Sequence, residues 1–149
     1  MILAVDGAYI GFMEKMKTAI ELHDSECVSI VRDPSGDGVV VLNAYVHRYE
    51  GEFGRMPHEG GEQRIRIAIG SMTVVSETGP LPSTIYDSSL IVGESIFDNL
   101  VPLPAKHAGS VNLTMTLSDD AREVKITGEG IEIVAEGAFR FIESVDFSN

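Results

Sequence analysis

The sequence is poor in the residues that crosslink or anchor a small domain. It has 149 residues, with one cysteine, Cys27, and no tryptophan. One cysteine cannot form an internal disulfide, which is typical of a reducing compartment. Residues 1–5 are apolar but lack a basic lead and are too few for a signal peptide, and no apolar run approaches the length of a membrane span. We therefore expect a cytoplasmic protein that folds without disulfides.

Positive charge is also scarce. The 11 lysines and arginines are outnumbered by 23 aspartates and glutamates, which gives a formal net charge of −12. Such a charge repels the phosphate backbone of nucleic acids and the anionic surface of membranes, so neither is expected as a partner. It suits a basic protein partner or a cationic ligand, and the same charge also serves solubility.

The motifs of common catalytic and cofactor sites are missing. The sequence contains neither the Gly-x4-Gly-Lys-Ser/Thr phosphate loop nor the Gly-x-Ser-x-Gly nucleophile elbow. Cys27 lies in an apolar segment, where burial keeps a thiol protonated and unreactive. We therefore predict no cofactor and no metal, and we favour a protein that is not an enzyme.

A single segment has the spacing of a helix. In residues 6–23, apolar side chains recur at three- and four-residue steps, and Asp6 is suited to cap the first turn. The apolar face would consist of Tyr9, Phe12, Met13, Met16, Ala19, Ile20 and His23. This pattern predicts one N-terminal helix packed on a sheet.

Strand patterns follow. Residues 27–32 and 39–49 are rich in β-branched side chains and flank a Pro- and Gly-containing turn, which predicts a β-hairpin. Residues 64–75 alternate between apolar and polar side chains, but the phase changes at Gly70 and Ser71, which predicts a β-bulge.

Residues 76–109 are harder to interpret. Their four prolines exclude a central strand at those positions. Two short apolar runs, residues 90–92 and 96–97, predict edge strands or a crossing loop.

The clearest alternation lies in the last third of the chain. It predicts antiparallel strands that bury Val111, Leu113, Met115, Leu117, Val124 and Ile126. Gly128 and Gly130 predict a turn, after which residues 131–145 continue a meander. The whole pattern predicts one mainly β domain over residues 1–149, in which the helix packs on an antiparallel β-sandwich or partly closed barrel.

Candidate functional residues concentrate in residues 47–62. The segment holds two of the four histidines and four glutamates. Its glycines predict a long loop above the sheet, where functional side chains often lie. The candidate ligand- or partner-binding residues are His47, Tyr49, Glu50, Glu52, His58, Glu59 and Glu62. Their spacing matches no metal-binding motif, so we assign no metal ligands.

Three functional hypotheses remain open. The first is a non-enzymatic acidic module that binds a basic protein partner, with the charge of a small inhibitor or immunity protein. The second is a small-ligand- or metal-binding β-barrel, with or without catalysis, with His47, Tyr49 and His58 near its mouth. The third is a structural subunit that forms homo-oligomers through its edge strands.

Overall fold

The structure is a computed structural model that describes residues 16–51, 53, 58–76, 79–118 and 122–145. Within these ranges the chain forms strands only, and no helix there is long and apolar enough to cross a membrane. The strands are β1 (Met16–Arg32), β2 (Gly38–Glu50), β3 (His58–Val74), β4 (Ser83–Val92), β5 (Ser95–Phe97), β6 (Leu100–Leu103), β7 (Ala105–Leu117), β8 (Arg122–Ala135) and β9 (Arg140–Val145).

Six of these strands close into an antiparallel barrel. Their order is β1, β2, β3, β8, β7 and β4, and β4 pairs with β1 to complete the circle. The closing pairs are Glu26 with Thr84 and Cys27 with Ser83. The mainly β prediction is confirmed, and the architecture is a closed barrel with extra strands.

Alternation along the strands places the apolar side chains inside the barrel. The core includes Leu42, Ile65, Ile67, Met72, Ile85 and Leu90, all at most 2% exposed. The six side chains predicted to be buried in the last third of the chain are each at most 1% exposed. That part of the sequence-based prediction is confirmed.

Three strands are longer than the barrel needs. The start of β1, the end of β2 and the start of β3 continue beyond it as neighbours, where β6 adds to β1 and β9 adds to β3. The result is a five-stranded antiparallel sheet with the order β6-β1-β2-β3-β9, which we call the extension sheet. Because β9 pairs with β3 rather than β8, the predicted meander is wrong at its last strand.

A wide bulge in β1 joins the extension sheet to the barrel. Glu21 lies opposite Tyr45 and Glu26 lies opposite Asn43, so residues 22–25 face a single residue of β2. The buried Ser25 hydroxyl donates to the Glu21 carbonyl oxygen and accepts from the Tyr45 N–H at 3.0 Å. Asp24 within the bulge has a φ of 70°.

The N-terminal helix prediction is wrong for residues 16–23, which begin β1, while residues 6–15 lie outside the described residues. From Ile20 to His23, burial alternates: Ile20 and Leu22 are buried, and Glu21 and His23 are half-buried. This two-residue period is that of a strand, and pairing with β2 and β6 satisfies the backbone on both sides. The four-residue step from Met16 to Ile20 occurs in helices as well, which is why the sequence alone predicts a helix there.

Two other local predictions are confirmed. β1 and β2 form the predicted hairpin. A hydrogen bond from the Asp33 N–H to the Asp37 carbonyl oxygen, at 2.8 Å, closes its turn. The β3–β8 register shifts at Gly70, and Ser71 has a φ of 47°, so the predicted bulge is present.

The predicted turn at residues 128–130 is wrong, because β8 runs through it without interruption. A Cβ at Gly128 would overlap the Ile69 side chain and the Gly70 carbonyl. The glycine therefore permits close packing against the β3 bulge, which is the alternative meaning of a glycine within a strand.

The edge-strand prediction for residues 90–92 is also wrong. They belong to β4, which pairs with β7 on one side and β5 on the other. Residues 96–97 do lie in an edge strand, β5.

Candidate binding cleft

Strand pairing assembles a row of polar and aromatic side chains on one face of the extension sheet. Tyr45, His47 and Tyr49 alternate along β2 and therefore share that face. On the neighbouring strands, Glu21 lies opposite Tyr45 and Gly60 lies opposite His47. On β9, Glu143 lies opposite Gly60. Four strands thus bring together residues that are more than 120 positions apart in the sequence.

Two buried histidines form the floor of this row. His47 Nδ1 lies 2.6 Å from His58 Nε2, and His47 Nε2 lies 3.3 Å from Glu21 Oε2. With both rings neutral, His58 Nε2–H donates to His47, and His47 Nε2–H donates to the Glu21 carboxylate. Glu21 also accepts from Asn99 Nδ2 at 3.2 Å, so its charge is held in one place.

Phe53, in the turn between β2 and β3, covers the histidines. Its ring centroid lies 5.2 Å from those of both His47 and His58 and 5.3 Å from that of Tyr49. The contacts with His47 and Tyr49 are edge-to-face, a preferred geometry for aromatic pairs. The ring excludes water from one side of the histidine pair.

Tyr45 spans β3 to reach the edge of the sheet. Its hydroxyl donates to Glu143 Oε1 at 2.5 Å, and it passes over Gly60, where a Cβ would overlap the hydroxyl. Burial, the hydrogen bond to Glu143, and the charges of Glu143 and Glu21 all raise the pKa of Tyr45. The hydroxyl therefore lies among negatively charged groups, the carboxylates of Glu143 and Glu21.

Together these side chains line an open cleft of about 460 Å³. The lining residues are Glu21, Asp24, Tyr45, His47, Phe53, Leu100, Glu143 and Val145. Three carboxylates and three aromatic rings therefore surround one concave surface, which has no lysine or arginine in its lining.

The structure brings together some of the sequence-predicted site residues. His47, Tyr49 and His58 meet around Phe53, as described above. His58 is the first residue of β3, not part of a long loop, because β3 begins six residues earlier than the predicted strand at residue 64. The connection between β2 and β3 is therefore shorter than predicted.

The three predicted glutamates that the structure describes, Glu50, Glu59 and Glu62, do not gather in one place. Glu62 forms an ion pair with Arg140, and Glu59 lies opposite Arg48 on β2. Glu50 is exposed at the end of β2, and Glu52 lies outside the described residues. Cations thus lie beside Glu59 and Glu62, so these carboxylates do not form one acidic surface with Glu50.

Sequence reasoning missed Glu21, Asp24, Tyr45, Phe53, Leu100, Glu143 and Val145. Tyr45 carried a signal, since it continues the two-residue alternation of His47 and Tyr49. Glu21 falls within the segment predicted to be a helix, outside its apolar face, so the sequence does not indicate its role in the cleft. Glu143 carried no local signal, because its place in the cleft depends on the pairing of β9 with β3.

Two further observations limit what the site can be. No group of three or more His, Cys, Asp or Glu side chains with metal-binding geometry occurs among the described residues. A second concavity of about 510 Å³ mixes acidic residues such as Glu129 and Glu132 with basic ones such as Arg66 and Lys106. Of these two concavities, the cleft on the extension sheet is the one whose charged lining residues all have the same sign.

Comparisons with protein-family models, curated proteins and solved structures found no match to the chain. A functional proposal therefore depends on the geometry of this cleft.

Proposed function

We propose that the protein is a non-enzymatic binding module whose cleft receives a cationic side chain of a basic protein partner. The observation that carries the proposal is the lining of the cleft, where Glu21, Asp24 and Glu143 surround the rings of Tyr45, His47 and Phe53. The net charge of −12 supports it, because a negative protein attracts a basic partner over long range.

The carboxylates supply the attraction. Glu21 is held by His47 and Asn99, and Glu143 is held by Tyr45, so neither side chain needs to be ordered when a cation arrives. Preorganised groups avoid the entropy cost of fixing flexible side chains on binding. Asp24 and Glu143 are exposed and can be reached from solvent.

The aromatic rings add selectivity for an organic cation. A guanidinium or ammonium group is attracted to the face of an aromatic ring, more strongly where water is excluded. The methylene groups of an arginine or lysine stem can pack on Phe53 and Leu100 at the same time. A small inorganic cation gains little from such contacts.

A small cationic ligand is the second candidate. A volume of about 460 Å³ lies within the roughly 300–1,000 Å³ range of small-molecule sites. Both candidates use the same cation chemistry, and the test below separates them by the size of the bound molecule.

The first prediction is that an end-blocked arginine-containing peptide binds the protein and that the same peptide with citrulline does not. Citrulline keeps the shape of arginine but removes its charge. Calorimetry or NMR titration measures both affinities. Binding of a free guanidinium compound as tightly as the peptide would favour the small-ligand candidate.

Two variants with the same loss of charge locate the site. Asp24→Asn with Glu143→Gln should weaken peptide binding roughly tenfold, because each removed charge is worth up to about 1 kcal/mol. Asparagine tolerates the positive φ of residue 24. Glu50→Gln with Glu59→Gln removes two charges outside the cleft and should leave binding nearly unchanged.

If instead the Glu50→Gln, Glu59→Gln variant lost binding and the cleft variant kept it, the site would lie in the segment predicted from the sequence, residues 47–62. Equal binding by both double variants and the unmodified protein would contradict the proposal.

A further inference from the structure

In the part of the chain that the structure describes, β9 forms one edge of the extension sheet. Among the described residues it pairs with β3 alone, and none of its six residues is buried. Phe141 and Ile142 are 53% and 47% exposed, although both are large and apolar. Two exposed, large apolar side chains thus lie side by side in one edge strand, a feature typical of an interaction surface.

The other edges are less suited to pair with another strand. β6 contains Pro102, which has no N–H to donate, and it is only four residues long. β5 is only three residues long. β9 has neither a proline nor a lysine to block an incoming strand.

A register shift makes β9 complementary to itself. Arg140 lies opposite Glu62, and Glu143 lies opposite Gly60. Arg140 and Glu143 are three positions apart on β9, but their partners are only two positions apart on β3. The extra residue of β9 therefore brings Arg140 and Glu143 to the same face of the sheet. Without the bulge, residues three apart would point to opposite faces.

We propose that β9 pairs antiparallel with β9 of a second copy of this chain, about a two-fold axis perpendicular to the sheet. Residues that lie opposite each other across such an axis must share a face, which the bulge allows for Arg140 and Glu143. In this register, Arg140 lies opposite Glu143 of the second copy, twice by symmetry, and Phe141 lies opposite Ile142 of the second copy. The two extension sheets become one continuous sheet.

Charge complementarity favours a second copy over an unrelated strand. Arg140 contacts Glu62 and Glu143 accepts from Tyr45 within the chain, and antiparallel self-pairing gives each of the two exposed charges a further partner of opposite charge. The net charge of −12 on each copy opposes association at low salt, because long-range repulsion is then poorly screened. The dimer should therefore be weak in dilute buffer and stronger at higher ionic strength.

The second prediction is tested by analytical ultracentrifugation from low micromolar to several hundred micromolar protein. A monomer–dimer equilibrium is expected, with tighter association at about 0.5 M than at about 0.05 M salt. Ile142→Lys should abolish the dimer. Ile96→Lys makes the same change at an exposed apolar residue of β5 and should leave the dimer intact.

A charge exchange at about 0.15 M salt tests the register. Arg140→Glu and Glu143→Arg each place like charges opposite one another twice, so each variant alone should dimerise roughly tenfold more weakly or not at all. When the two variants are mixed, every opposing pair is again complementary, and mixed dimers should form. Any local damage done by either substitution persists in the mixture, so it cannot produce this rescue.

A single monomeric species at every concentration and salt would overturn the proposal. So would dimers that persist in Ile142→Lys, or single variants whose mixture does not recover association. Glu143 lines the cleft and also faces Arg140 of the second copy, so cation binding is measured separately, with a peptide and with protein dilute enough to be monomeric. Peptide binding should weaken as salt increases, whereas dimerisation should strengthen, so the two proposals fail on different results.

Discussion

Cys27 is fully buried in the barrel, and this burial has a consequence for alkaline stability. Burial raises the pKa of its thiol from an ordinary value of 9.0 to about 12, while the nearby Arg122 charge partly opposes the shift. The folded protein therefore keeps the thiol protonated at pH values where the unfolded chain has released the proton. A raised pKa in the folded state stabilises the fold below the unfolded pKa, and that stability is lost as pH rises through the folded value.

The third prediction follows from this difference. Between about pH 9 and about pH 12, the free energy of unfolding should fall by about 1.4 kcal/mol per pH unit because of Cys27. Urea unfolding at about pH 8 and about pH 10.5 measures this decrease in the free energy of unfolding. The decrease should be about 2 kcal/mol smaller in Cys27→Ala than in the unmodified protein. Tyr45, whose pKa is also raised, contributes equally to both proteins. Identical pH dependence in the two proteins would show that the thiol is not protected by the fold.

Single residues also explain where the sequence could and could not be interpreted. The burial of Leu113 and Met115 was predictable because each apolar residue is flanked by polar ones in a two-residue period. Gly128 was misread, because a glycine that forms a turn and a glycine that allows close packing look the same in a sequence.

The wide bulge of β1 shows how one element can carry two roles. Before it, β1 belongs to the extension sheet, and after it, β1 belongs to the barrel. Ser25 holds the bulge closed, because its hydroxyl links the backbone of Glu21 to that of Tyr45. Both of those residues line the cleft, so the bulge positions the site as well as the strand.

The fourth prediction concerns this linkage. Ser25→Ala removes the hydroxyl at a position that is fully buried, which leaves the Tyr45 N–H and the Glu21 carbonyl without this partner. We expect a loss of about 1–3 kcal/mol in the free energy of unfolding. Ser110→Ala on β7 is the matched control at an exposed position and should change stability by less than about 0.5 kcal/mol. An equally small loss for Ser25→Ala would mean that water replaces the hydroxyl.

Bulges also decide how well a whole strand can be predicted from its sequence. The phase change at Gly70 and Ser71 was visible in the sequence because alternation is strong on both sides of it. The β1 bulge was not, because only short alternating segments flank it and the spacing of Met16 and Ile20 imitates a helix. The partner of β9 could not be predicted either, since pairing between distant strands leaves no local pattern.

For the whole molecule, the net charge of −12 acts on stability as well as on binding. Like charges in a compact protein repel one another, and salt screens that repulsion more effectively than it weakens the few close ion pairs. The ion pairs of arginine in the described residues, such as Arg66 with Glu136 at 4.0 Å, are largely exposed and contribute little.

The fifth prediction is that raising sodium chloride from about 0.05 M to about 0.5 M increases the free energy of unfolding by about 1 kcal/mol. Urea unfolding at both salt concentrations, with protein dilute enough to remain monomeric, measures the change. A constant or falling stability would show that the charges are already balanced within the fold. Cation binding should weaken over the same range, so the two salt responses have opposite signs.

The candidate cleft could be predicted only in part because it is a property of the assembled molecule. His47, Tyr49 and His58 were found because they lie close together in the sequence. Glu21 and Glu143 reach the cleft through the pairing of four strands. Their contribution depends on the sheet order, which neither composition nor periodicity specifies.

The pairing of β1 also determines when the fold can be completed during synthesis. β1 and β2 can pair early, but the other edge of β1 waits for β4 at one end and β6 at the other. The 71 residues from Asp33 to Leu103 must first leave the ribosome, which takes roughly 4–14 s at about 5–20 residues per second. During that time β1, the earliest strand that the structure describes, presents an open edge to other nascent chains.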